Sequence, residues 1–222
     1  MTTPLVLEYA ISLKLCSMND LELRWKMMMG ASGGSSLYNF YVHGNPTING
    51  NIYKPDNTSN GFIYVNKPFN PGTSNYSWVI QVKIKVLNPV AWSDIVASTD
   101  VSGNPAYMLR TQFNDQDSAC QFDFDFSSDD VSWNHSDTCS MTLTANQWTT
   151  IQLRCGNGSG TRFDFTQGFP PNNWSGGISG TTAPSYGKYI SFGGGSGTCA
   201  DCEIDLSETK IWINDVLWWE AI

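Results

Sequence analysis

The stretch SWVIQVKIKV, residues 77–86, decides the fold class. On an extended chain Trp78, Ile80, Val82, Ile84 and Val86 fall on one side while Gln81, Lys83 and Lys85 fall on the other, because side chains of a strand alternate between faces. A helical period of 3.6 would scatter both sets around the axis, so the pattern is that of a strand with one face in a core. QFDFDFSS at 121–128 repeats it, with Phe122, Phe124 and Phe126 expected inward and Gln121, Asp123 and Asp125 on the solvent side. Further strands are expected in 61–66, 106–113, 148–155, 161–166 and 187–192, separated by turn signals such as Asn45-Pro46, Asn88-Pro89 and Gly103-Asn104-Pro105.

Composition agrees with this reading. Nine Trp, nine Tyr and eleven Phe, with twenty Gly, ten Pro and 14 % charged residues, suit short strands joined by turns rather than helices. The 222 residues fit one large all-β domain. Near the end, Lys210-Ile-Trp-Ile enters Asn214-Asp215 and Val216-Leu-Trp-Trp leaves it, a hairpin pattern because Asn and Asp tolerate the positive φ of a type I′ turn. Ile211 and Ile213 then face the core, with Trp212 and one of Trp218 and Trp219 on the other side. Antiparallel strands of this kind favour two packed sheets over a closed barrel.

Residues 1–36 differ: they are Leu- and Met-rich and end in the linker-like run GASGGSS at 30–36. They read either as a first strand or as an N-terminal arm docking on a neighbouring subunit, ahead of a sandwich domain at 37–222. A net charge of −8 without a basic cluster argues against nucleic acid as a partner. No basic n-region precedes the apolar run interrupted by Glu8, so no signal peptide is expected. No run is long enough to insert in a membrane, and a soluble protein made in the cytoplasm is expected. Without an oxidising compartment, most of the six cysteines (Cys16, Cys120, Cys139, Cys155, Cys199, Cys202) are expected as free thiols. Cys199-x-x-Cys202 is half a zinc spacing without a second half.

The final hairpin, with SSDDVSW at 127–133 and NQWTTIQL at 146–153, resembles the laminin-G-like members of the concanavalin A-like lectin/glucanase superfamily, especially modules of bacteriophage tail, fibre and head-decoration proteins. Ile204-Asp205-Leu206, Glu208, Ile211, Ile213, Asn214, Trp218 and Trp219 carry the resemblance. It implies a two-sheet antiparallel jelly-roll sandwich in a virion assembled in the host cytoplasm. Other virion proteins would be bound through the arm, the chain would be a homo-oligomer such as a trimer, and cell-surface glycans would be the ligands.

Glu203, Asp205 and Glu208 form E-I-D-x-x-E, which resembles the motif of family 16 glycoside hydrolases on the same jelly roll. The resemblance would make Glu203 the nucleophile, Asp205 its tuner and Glu208 the acid/base. On a regular strand Glu208 would point away from Glu203 and Asp205 unless a bulge restored it. Only fourteen residues follow Glu208, and Thr209-Lys210-Ile211 replaces the usual turn, so the hairpin alone accounts for every position and no catalytic residue is expected.

Two further groups carry chemistry. Asp115, Asp117, Asp123, Asp125, Asp129 and Asp130 could offer oxygen ligands to calcium, but no D-x-D-x-D-G loop is present and strand alternation already explains two of them, so no metal or cofactor is expected. Trp133 with His135, and Asn173 with Trp174, combine an aromatic face for a sugar ring with polar groups for its hydroxyls, and are the candidate glycan contacts.

Overall fold

The computed structural model describes residues 39–57, 60–72, 77–88, 92–113, 122–139, 143–155, 161–167, 179–180, 184–195 and 198–222. All lie in the unit Tyr38–Ile222; the expected arm at 1–36 falls outside them. In chain order the described strands are β1 (Phe40–His43), β2 (Thr47–Asn49), β3 (Ile52–Lys54), β4 (Phe62–Val65), β5 (Trp78–Asn88), β6 (Ser93–Thr99), β7 (Leu109–Phe113) and β8 (Phe122–Phe126). There follow β9 (His135–Cys139), β10 (Trp148–Cys155), β11 (Thr161–Gln167), β12 (Ser179–Gly180), β13 (Tyr189–Phe192), β14 (Thr198–Cys199), β15 (Asp201–Ile213) and β16 (Val216–Glu220).

They form two sheets. One runs β1-β4-β13-β6-β7-β8-β9, with β14 beside β6; the other runs β12-β11-β10-β5-β15-β3-β2, with β16 beside β15. Every pairing is antiparallel except the two-residue contact of β14 with β6. The protein is an all-β, two-sheet jelly-roll sandwich.

The alternation in residues 77–86 places the core as expected. Trp78, Ile80, Val82, Ile84 and Val86 are fully buried and share one cluster with Leu109, Phe113, Phe124 and Phe126 of the facing sheet. Each side chain of this size removed from water contributes about 1.5–3 kcal/mol before entropy is subtracted. The Tyr53 hydroxyl on β3 donates to Phe192 O on β13 (2.9 Å) and accepts from Ile63 N on β4 (3.1 Å), stitching the two sheets together. Burial pushes its phenol well above the ordinary value.

The Asn214-Asp215 turn has φ of 50° and 63°, the left-handed pair that a type I′ hairpin requires. Asn214 also ties the turn to β5, its N–H donating to Ser77 O and its Oδ1 accepting from Ser77 N, both at 2.8 Å. A bulge sets Ile211 opposite Trp219 and Trp212 opposite Leu217. The extra residue, Trp218, is half-buried against Phe69, and Trp219 enters the core, nearly parallel to Phe192 at 5.6 Å.

One expectation needs correcting. Asp123 and Asp125 do face away from the core, but they are not on a solvent face: they are 7 % and 5 % exposed. Gln81 and Gln152, on the outer side of the other sheet, are buried as well. Period two determines which face a side chain takes; lateral packing on that face determines whether water reaches it. On β5 and β10 the result is a hydrogen-bonded chain from Arg154 to Gln152 (2.5 Å), Gln152 to Gln81 (2.7 Å) and Gln81 to Glu208 O (3.1 Å).

Candidate functional site

The loop between β8 and β9 is built by Asp129. Its carboxylate accepts from the backbone N–H groups of Val131 and Ser132, both at 2.9 Å, and from the hydroxyls of Ser132 and Ser127. An Asp that accepts the N–H two residues on makes a turn of its own side chain. Asn134 closes the far end, accepting from Ser128 N and donating to Ser128 Oγ. Lys188 reaches Asp130 at 2.9 Å.

The backbone N–H groups of Val131 and Ser132, followed by the Ser132 hydroxyl, hold the Asp129 carboxyl well below its ordinary value of 3.8. A depressed folded value contributes stability that is complete above the unfolded value and is lost as pH falls through the folded one. Acidification well below the ordinary value of 3.8, far enough to protonate the folded Asp129 carboxyl, is therefore expected to loosen residues 127–134, read as movement of the Trp133 indole N–H resonance. Asp129→Asn should remove that acid step.

What the loop carries is Trp133. The Arg110 guanidinium lies 4.6 Å from the Trp133 ring centroid, and Tyr107 lies 5.1 Å from it in a tilted arrangement. Beneath the indole, Arg110 Nε donates to Asp125 Oδ2 at 2.7 Å, a cross-strand pair fixed by the β7–β8 register. The neighbouring row on the same face sets Gln112 between Asp94 and Asp123, all three buried. The arrangement is a half-exposed Tyr–Trp pair braced by a largely buried Arg–Asp ion pair. It offers an aromatic surface to C–H groups, held in place by the ion pair beneath it.

Of the expected contacts, Trp133 is in this cluster. His135 opens β9, its backbone paired with Phe126. Asn173 and Trp174 lie outside the described residues. Sequence reasoning missed Tyr107 and Arg110, and placed Asp125 on a solvent face rather than beneath an indole. One signal was present: Arg110 is the sole Lys or Arg between Lys85 and Arg154, facing an Asp-rich strand.

The carboxylate motif takes the conditional geometry. On β15 the register passes from Asp205 opposite Lys83 to Lys210 opposite Gln81, five residues against two on β5. Two successive residues, Ser207 and Glu208, lie off the core within this bulge, so Glu208 returns to the outer face shared by Glu203 and Asp205. Thr209 takes the buried place, its hydroxyl donating to Asp205 O (2.9 Å). Each of the first two acids is matched by a lysine of β5: Glu203 with Lys85 at 2.5 Å, Asp205 with Lys83 at 3.1 Å. Partial burial pushes the Asp205 carboxyl up, but the Ser207 hydroxyl and Lys83 outweigh it and the net shift is downward. Trp148 of β10 lies beside both lysines, 5.3 Å from Lys85 Nζ and 5.8 Å from Lys83 Nζ.

Cys199 and Cys202 are buried free thiols, and Cys155 is buried as well. Cys199 and Cys202 do not converge: Cys202 sits in the main core, and Cys199 packs with Phe62 and Tyr64 in a separate cluster. Burial raises both, Cys199 to about 12. Among the described residues, no group of three or more His, Cys, Asp or Glu is arranged to hold a metal ion.

No family model matches the sequence, and no curated protein matches it. Solved structures are similar in fold. The exoplasmic/lumenal domain of VIP36 in its Ca2+/Man3GlcNAc-bound form superposes with a TM-score of 0.51 at 12 % identity, over 79 % of this chain and 82 % of that one. The likeness is one of fold, a two-sheet antiparallel jelly roll. A mutant of HCR/D gives 0.53 at 17 % identity over 80 % of this chain, and the receptor binding domain of botulinum neurotoxin mosaic serotype C/D gives 0.50 at 15 % over 83 %. This chain spans 45 % of the length of each of those two.

Proposed function

We propose that this protein is a non-enzymatic recognition module that binds glycans at Tyr107 and Trp133, with Arg110 and Asp125 bracing them from below. The observation that carries the reading is the half-exposed Tyr107–Trp133 pair fixed in place by an ion pair below it and by the Asp129 turn beside it. A preformed aromatic surface spares the entropy of ordering a loop on binding. The fold supports it: VIP36, a neighbour in fold, was solved with a mannose oligosaccharide. In the finer form of the proposal, the protein is a phage virion component that uses residues 1–36 to join an oligomer, supported by the resemblance of the final hairpin to phage modules.

A glycan array probed with the full chain tests the first statement. Binding to a defined set of sugars is expected, with Trp133→Ala weakening it at least tenfold, about 1.4 kcal/mol, and His135→Ala showing whether the first residue of β9 takes part. A featureless array would refute the glycan reading.

The bulge in β15 favours a second reading, hydrolysis by Glu203 and Glu208, because it returns Glu208 to the face of Glu203. Retaining hydrolysis needs one carboxyl to attack while the other stays protonated, and the Lys85 contact of Glu203 works against attack. No release of reducing ends from laminarin or lichenan is expected; release that disappears in Glu203→Gln would establish the enzyme instead.

A further inference from the structure

A groove of about 370 Å³ opens where β1 and β16 meet, lined by Asn39, Asn66, Lys67, Leu217, Trp218 and Glu220. It lies at the β1 edge of the first sheet. The Trp133 cluster stands on β7 and β8 of that sheet, four to five strands away, or roughly 20 Å at about 4.8 Å per step. The two places are separate.

β16 is an edge strand, and its outer carbonyls would ordinarily invite another strand. Here they are taken. Lys67 Nζ donates to Trp218 O at 2.7 Å while lying 4.3 Å from the Trp218 ring centroid, and Asn39 Nδ2 donates to Glu220 O at 3.2 Å. Trp219 Nε1 in turn donates to Asn39 O, which fixes Asn39 at the rim. A strand cannot add to an edge whose acceptors already hold side chains, so the groove suits a compact ligand rather than an extended peptide.

The lining specifies the chemistry of that ligand. Asn39 Oδ1 accepts, the Asn66 amide both donates and accepts, Lys67 donates, Glu220 accepts, and Trp218 with Leu217 supplies the apolar wall. The one cation and one carboxylate cancel, so the groove selects no net charge. The volume is at the small end of ligand sites, larger than a single bound ion requires. We infer that this groove is a second saccharide site, taking a neutral disaccharide-sized ligand through hydroxyl contacts to Asn39, Asn66 and Glu220, with a sugar ring against Trp218 and Leu217.

The test is an NMR titration of the full chain with maltose, cellobiose, lactose and N,N′-diacetylchitobiose. Saturable shifts are expected for at least one of them at the Asn39 and Asn66 side-chain amides and the Trp218 indole. The variant Asn66→Ala/Glu220→Gln changes only exposed or half-buried side chains, so its thermal midpoint should match that of the parent while its affinity falls at least tenfold. Trp133→Ala should leave these shifts intact, which separates failure of this site from failure of the first. No saturable shift with any of the four sugars, or shifts that persist undiminished in the double variant, would overturn the inference.

Discussion

Trp219→Ala should lower the unfolding free energy by about 3–5 kcal/mol, measured as a shift of the urea midpoint at unchanged slope. The indole is buried, stacked on Phe192 of the opposite sheet, and its Nε1–H satisfies Asn39 O at the start of β1. Truncation leaves a cavity between the sheets and an unpaired carbonyl at its edge, and the two costs add. Trp218→Ala provides the control: that side chain is the extra residue of a bulge, half-buried against Phe69, and a smaller loss of about 1–2 kcal/mol is expected for it. Equal losses in the two variants would mean that the bulge does not sort the tryptophans as described.

Arg110→Met is expected to be about as costly, on the order of 3–5 kcal/mol, since it strands the Asp125 carboxylate on a face where that residue is 5 % exposed. Adding Asp125→Leu should recover most of the loss, because two apolar side chains replace a pair whose desolvation cost is comparable to its attraction. The single variant should also weaken glycan binding, because Trp133 loses the cation it stacks on. A small loss in Arg110→Met with no recovery in the double variant would show that water or another cation compensates Asp125. The brace assigned to the site would then be wrong.

Much of the fold was legible because strand alternation is a local property. Residues 78–86 place five apolar side chains in the core as the pattern implies, and Asn214-Asp215 adopts the turn its residue types favour. The candidate site was legible only in part. Trp133 stands out as an aromatic residue in a Ser/Asp loop, but its partners Tyr107 and Arg110 lie more than twenty residues away in sequence and meet it through the β7–β8 register. The groove at Trp218 had no sequence signal, since Asn39, Asn66 and Glu220 belong to three segments that meet only at the sheet edges.

The sequence by itself determined the strand class, the burial phase of residues 78–86 and the terminal hairpin, because these depend on side chains two or three residues apart. Tertiary structure decided the rest: that Asp123 and Asp125 are buried rather than solvated, that Glu208 returns to the face of Glu203, and that Trp219 rather than Trp218 enters the core. Each of these turns on a bulge or on lateral packing between strands distant in the chain, where a shift of one residue in register exchanges the two faces.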